Sequence, residues 1–332
     1  MILFKFLAAS IFFVNYSFQN DVTKNDAKEI PEKIKLYDIV VDANGSGDYK
    51  TVQEAFNAVP LFKNSQTKIF VKNGIYKEKL ELALNKNNVT LIGESKENVI
   101  LTYDDYASKS NGAGGTIGTS GSASFIVTAN GFKAQNITFE NSSGPVGQAV
   151  AVRIDGDRII FENCKFLGFQ DTLYARESAS RQYYKNCYIE GTTDFIFGGS
   201  TVIFKDCEIF AKKGGSYITA ANTPESNPYG FVFLNCKLTA NSGDYSYFLG
   251  RPWRNYARTV FLKCEMGSHI KPQGWHNWGK AEAEKTAFYA EYKSAGVGAN
   301  RASRVNWSHQ LSEEQFKKEY STKAIFKDWK PD

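Results

Sequence analysis

The chain has 332 residues, a net charge of +5, 42% hydrophobic and 14% aromatic residues. That length allows one large domain or two ordinary ones, with enough chain to bury a substantial core. The charge is modest and no Lys/Arg run is present, so composition excludes an evident nucleic-acid partner while suiting a polyanionic ligand.

Met1–Phe18 carries one early cation, Lys5, then the apolar run Phe6–Val14, then polar residues. That order predicts a signal peptide over 1–18, too short to span a membrane, and hence a secreted or periplasmic protein without a membrane span. Residues 19–37 are Lys/Glu-rich and read as a polar leader, and residues 38–332 as a single catalytic domain. In that domain Ile39–Val41 reads as a strand and Asn44–Asp48 as a turn. Thr51 reads as the N-cap of a helix with Val52, Ala55, Phe56 and Val59 on one face, stopped by Pro60. Such a helix would close the open end of a β-stack. TKIFVKNGIYKEKLEL and NNVTLIGE then read as short strands broken by Asn and Gly.

From Asn88 onward a repeat organises the sequence. A polar corner recurs at Asn88, Asn136, Asn163, Asn186, Asp206, Asn235 and Lys263. The next residue is Val89, Ile137, Cys164, Cys187, Cys207, Cys236 or Cys264, and two further on stands Leu91, Phe139, Phe166, Ile189, Ile209, Leu238 or Met266. Both columns share one strand face, because side chains alternate with period two. Asn and Asp suit corners because they tolerate left-handed backbone. An aromatic precedes the corner by two positions at Phe161, Tyr184, Phe204, Phe233 and Phe261. Short strands recurring every 20–29 residues mean a solenoid. The expected fold is all-β, a right-handed parallel β-helix with an N-terminal capping helix. A C-terminal helical tail is expected from Ser312, whose SEEQ is a capping-box start.

The five cysteines are spaced 23, 20, 29 and 28 residues apart, a repeat spacing and not a zinc pattern. They read as an internal column, although rungs ~4.8 Å apart would let one adjacent pair form a disulfide, with Cys187 and Cys207 the nearest in sequence. The stretch NGAGGTIGTSGSAS lacks the Gly-Lys-Ser/Thr of a phosphate loop, so no nucleotide is expected. His269, His276 and His309 fall late, with no Gly-x-Ser-x-Gly elbow, and read as surface or loop histidines.

Two repeat units stand apart. NCKFLGFQDTLYA and NCYIEGTTDFIFG place Asp171 and Asp194 at the same position of successive units, where counting from the corner puts Gly144, Gly214 and Gly243 in other units. Two carboxylates stacked in apolar sequence cannot both carry charge easily, which yields one acid and one carboxylate. Gln148 and Gln170 could direct amide N–H groups at developing negative charge, Arg251 could hold a carboxylate ionised, and Trp253 and Tyr174 could stack on sugar rings.

The segments GSGDYKTVQEA, GIYKEKL, NITFENSSGP, QAVAVR, GFQDTLYA, GTTDFIFG and LGRPW occur in this order across the chain. In them the sequence resembles the pectinesterase (pectin methylesterase) family. The resemblance implies hydrolysis of the methyl esters of pectin to pectate and methanol by a monomer that needs no metal or other cofactor. It implies Asp194 as nucleophile, Asp171 as general acid and base, and Gln148 and Gln170 as oxyanion donors. Arg251 would orient Asp194, with Trp253 and Thr119 on the substrate, where Ser120 stands in place of the family's frequent aromatic. The alternatives are an esterase or thioesterase on a non-pectic substrate, a lyase or glycosidase on the same scaffold, and a non-catalytic polysaccharide binder.

Overall fold

The structure is a computed structural model that describes residues 36–331. The expected signal peptide over 1–18 lies outside the described residues, as does the polar leader apart from its last residues. From Tyr37 onward the chain forms one unit. Its strands make three parallel sheets of 11, 7 and 8 strands, and successive coils add one strand to each. This is the parallel β-helix that the repeat predicts. No helix among the described residues is long and apolar enough to cross a membrane.

Corner residues set the coil. Asn136, Asn163, Asn186, Asp206, Asn235 and Lys263 all have φ between +53° and +57°, the left-handed region in which Asn and Asp are favoured among residues with a Cβ. Lys293, at φ +46°, adds a further corner that the sequence pattern did not include. The first unit of the sequence pattern falls one strand before the column it is expected to join. Val89 and Leu91 belong to the 11-stranded sheet, and Val99–Tyr103 stacks on Thr138–Asn141, with Leu101 opposite Phe139. Asn88 turns a different corner, in the same left-handed conformation.

Inside the coil the aromatics stack into a ladder. Ring centroids lie 5.0 Å apart for Phe161 and Tyr184, 4.8 Å for Tyr184 and Phe204, 4.6 Å for Phe204 and Phe233, and 4.4 Å for Phe233 and Phe261. Each such pair contributes about 0.5–1.5 kcal/mol beyond the area it buries. The cysteine column is internal, and all five are free thiols, so no Cys187–Cys207 bridge forms. The thiols instead meet backbone: Cys187 donates to the Phe161 carbonyl at 3.5 Å and Cys207 to that of Tyr184 at 3.6 Å.

Helices cover one end and one side of the stack. The helix Val52–Ala58 is capped by Thr51 and Glu54 in a reciprocal box and buries Val52, Ala55 and Phe56, with Phe56 stacked 5.5 Å from Phe125. Past the last coil, the helices Glu313–Glu319 and Thr322–Phe326 cover the outer face of the 11-stranded sheet, burying Tyr320, Ile325 and Phe326 against Tyr183, Ile203, Val232 and Val260.

The corner geometry predicts a specific asymmetry at Asn186, an exposed corner residue. Asn186→Val should lower unfolding stability by about 1–2 kcal/mol, because a branched Cβ resists left-handed backbone. Asn186→Gly should stay close to wild type. Urea unfolding midpoints of the two variants check this.

Candidate active site

The 7-stranded sheet carries a row of outward-facing residues, one per coil. Its register sets Arg153 beside Tyr174, Tyr174 beside Phe197, Phe197 beside Ala220 and Ala220 beside Arg251. Tyr174 and Phe197 stack face to face at 4.2 Å and 11°, forming the apolar floor of a cleft of about 520 Å³. All eight residues singled out in the sequence line this cleft: the two aspartates, the two glutamines, Arg251, Trp253, Tyr174 and Thr119. Thr119 and Ser120 enter from the Gly/Ser-rich segment, where Gly118–Gly121 makes one short helical turn. Tyr174 is only 7% exposed, so it serves as floor, whereas Trp253 stands as a partly open wall 6.3 Å from it.

The aspartates reach the cleft through irregular backbone. Asp171 has φ +66° and Asp194 φ +52°, and the register between Thr193–Gly198 and Tyr217–Ala221 shifts between Thr193 and Ile196. A bulge re-aims the side chains around it. Phe195 and Ile196 both enter the core, and Asp194 is left facing the cleft. The glycine alignment fails here. The loop after Asp206 is longer, so the coil after Asp194 presents Tyr217 and Ile218 at this level and not Gly214. On the other side, the Gln148–Gln170 bridge puts Ala149, not Gly144, next to Asp171. Gly243 is displaced likewise, since Tyr217 pairs with Phe248.

Electrostatics separate the two acids. Both are nearly buried, Asp171 at 7% and Asp194 at 6% exposure. Arg251 grips Asp194 with two parallel hydrogen bonds, Nε to Oδ1 at 3.0 Å and Nη2 to Oδ2 at 2.7 Å. Burial pushes the Asp171 carboxyl well above the ordinary range, and the Asp194 charge adds to the rise. Burial raises Asp194 as well, but by less, because the Arg251 guanidinium opposes it. Of the two, Asp194 is therefore the easier to ionise and Asp171 the one that holds its proton more strongly. Gln148 and Gln170 lie side by side in adjacent coils at the cleft, and among the described residues neither side-chain amide is engaged in a hydrogen bond.

Sequence reasoning missed Phe197, Trp278 and Tyr217. Phe197 was legible, because it follows Asp194 by the three positions that separate Tyr174 from Asp171. Trp278 and Tyr217 clasp the Arg251 guanidinium, 3.7 Å and 3.9 Å from the two ring centroids.

Residues 38–328 match the family model described as Pectinesterase. Pectinesterase 31 of Arabidopsis thaliana is 43% identical over 281 residues, an alignment covering 83% of this chain and 88% of that one. The chain belongs to the pectinesterase family. Among solved structures it is similar to the pectin methylesterase from carrot, with a TM-score of 0.80, 33% identity, and coverage of 87% of this chain and 92% of the other. A pectin methylesterase in complex with a hexasaccharide matches with a TM-score of 0.78 and 29% identity, covering 90% and 99% of the two chains. The chain spans a smaller share, 44% and 51%, of two Arabidopsis thaliana proteins whose names join pectinesterase with pectinesterase inhibitor. Pectinesterases are carboxylic ester hydrolases, and so is this protein.

The raised Asp171 carboxyl fixes the sign of a stability effect. A carboxyl whose folded pKa exceeds its unfolded value stabilises the fold below the unfolded value and loses that contribution as pH rises through the folded one. Asp171→Asn should thus raise Tm relative to wild type at neutral and alkaline pH, with the difference vanishing in acid. Melting curves at several pH values measure it.

Proposed function

We propose that the protein hydrolyses the methyl esters of pectin, methylated polygalacturonate, to pectate and methanol, with Asp194 as nucleophile and Asp171 as acid and then base. The observation that carries these roles is the bidentate Arg251 grip on Asp194 beside an Asp171 that burial keeps protonated. An ionised Asp194 oxygen attacks the C6 carbonyl of a galacturonate ester. The carbonyl oxygen takes up the negative charge, and the Gln148 and Gln170 amides donate to it. As the tetrahedral intermediate collapses, the C–OCH3 bond breaks and the Asp171 proton goes to the departing methoxide, which leaves as methanol. An acyl-enzyme anhydride on Asp194 remains. Asp171, now a carboxylate, takes a proton from water as it adds to the acyl carbon, which releases the galacturonate carboxyl and regenerates Asp194.

Above the floor of Tyr174 and Phe197, whose faces are stacked on each other, the walls of Trp253 and Trp278 offer apolar surface suited to sugar rings. Action as a monomer belongs to the same proposal. Among the described residues no three acids, histidines or cysteines converge to hold a metal ion, so a calcium-dependent lyase finds no support in the donor set. Export through the segment over 1–18 belongs to the same proposal, since the substrate is a polymer of cell walls.

Methanol release from highly methylated pectin tests the roles. Asp194→Ala should lose roughly 10⁴-fold or more in kcat while keeping the wild-type melting transition. Retained turnover by that variant overturns the nucleophile assignment. Gln148→Ala and Gln170→Ala should each lower kcat by roughly 10²–10³-fold, with KM moving less. A chelator should leave the wild-type rate unchanged.

A further inference from the structure

Arg251 is held by more than its carboxylate. Its guanidinium lies between the rings of Trp278 and Tyr217, and those rings come from different parts of the chain. Tyr217 belongs to the strand Tyr217–Ala221, and Trp278 to a loop past the last strand of the 7-stranded sheet. That loop is added to the sheet edge by the Gly250–Trp275 bridge and by the His276 N–H, which donates to the Gly250 carbonyl at 3.1 Å.

The loop holds Trp278 in a conformation that the residue does not favour. Trp278 has φ +58°, a left-handed backbone that costs a bulky side chain on the order of 1–3 kcal/mol and persists only where surroundings over-determine it. The surroundings do so. The Asn277 side chain accepts from the Gly279 N–H at 2.9 Å, and Lys280 Nζ donates to the Pro252 and Trp253 carbonyls at 3.1 and 2.9 Å. Arg304 donates to the Lys271 and Pro272 carbonyls at 3.3 and 3.0 Å, fixing where the loop begins.

His276 joins the two faces of the clasp. Its Nδ1 is 3.3 Å from the Trp278 backbone N and 3.3 Å from the Tyr217 hydroxyl. A backbone N–H can only donate, so Nδ1 is an acceptor and the imidazole is neutral, with its proton on Nε2. The Tyr217 hydroxyl then donates to the same nitrogen. One lone pair thereby ties the ring on one side of Arg251 to the backbone of the ring on the other.

We propose that neutral His276 is a positioning residue for the reaction, pinning Trp278 and Tyr217 about Arg251 so that the guanidinium keeps its two-bond grip on Asp194. The inference rests on the roles proposed for Asp194 and Arg251. Protonation at Nδ1 removes the acceptor, releases the Trp278 N–H and loosens the clasp, so the site loses alignment as pH falls. The groups around the imidazole bear on where this happens. They are the Tyr217 phenol, the Arg251 guanidinium with Asp194 behind it, and Lys271, which lies over the Phe248 ring that itself packs on His276. On its own loop stands Lys280, and on the short helix Ala283–Thr286 that follows stands the Asn277 partner Glu284. Burial, and then the Arg251 charge, hold the imidazole below its ordinary value, which favours the neutral form that accepts at Nδ1.

The test is the pH profile of methanol release for wild type, His276→Leu, His276→Asn and Tyr217→Phe. Asn presents an oxygen acceptor near the Nδ1 position that does not titrate in this range. His276→Leu should lose roughly tenfold or more in kcat near neutrality, since small misplacements of a positioning group are costly, with the gap narrowing in acid as wild-type His276 is protonated. His276→Asn should recover most of that loss near neutrality and hold its activity to lower pH than wild type. Tyr217→Phe keeps the ring but not the donor and should fall between them. A wild-type acid limb in His276→Asn overturns the proposal, as does full activity in His276→Leu. If His276→Leu does not fold, the acid limb of His276→Asn alone decides. Asp194→Ala in the same assay separates the two levels: a silent His276 with an inactive Asp194→Ala removes this inference and leaves the ester mechanism standing.

Discussion

Backbone hydrogen bonding holds successive rungs of a parallel sheet about 4.8 Å apart, and the cleft inherits that spacing. At this distance residues at one level of adjacent coils become side-by-side neighbours. Gln148 meets Gln170, Asp171 stands one rung from Asp194, and Tyr174 lies flat on Phe197. The same spacing stacks the inner aromatics and brings the thiols of Cys187, Cys207, Cys236 and Cys264 to a carbonyl of the coil before. A stack of this kind makes a rigid ruler along which a chain-like substrate can be read. It also forces like charges together wherever two coils carry an acid at one level.

That forced proximity is the source of the chemistry. Two carboxylates a rung apart, nearly excluded from water, cannot both ionise cheaply. The asymmetry comes from Arg251, which reaches in from two coils further on, through Ala220, and binds Asp194 alone. Asp171 has no such partner among the described residues, and burial favours its protonated form. The cost of holding an acid without a counter-ion in the fold is carried by the rest of the stack, whose inner face is a nearly continuous apolar core.

What was legible in the sequence was what the repeat dictates. Corners showed as Asn and Asp because left-handed backbone restricts the choice, and inner columns showed because strand alternation is strict. The paired aspartates were visible as an acid recurring at one repeat position. Loops between rungs obey no period, so a fixed count from the corner does not carry across them. Gly214 is the counted equivalent of Asp194, yet a longer loop moves Tyr217 and Ile218 to that level. Asn88 was placed one strand early for a similar reason, since the first coils turn at more than one kind of corner. The cysteine spacing allowed a bridge, and the inward stacking of free thiols against carbonyls is what the fold adopted.

The residues hidden from the sequence are those that the stack does not bring to the site. Trp278 and His276 arrive on a loop after the last strand of the cleft-bearing sheet, and nothing in their local sequence marks which ring faces Arg251. Their placement depends on a strained backbone at Trp278 and on bonds to carbonyls of distant strands, features that exist only once the coil is built. Arg251 stands on the edge strand of the 7-stranded sheet, so the repeat supplies a neighbour on one side only and the other face is covered from outside it. Tyr217 comes from the stack and Trp278 from outside it. The arginine that makes two equivalent aspartates unequal is thus itself fixed by the part of the chain that leaves the repeat.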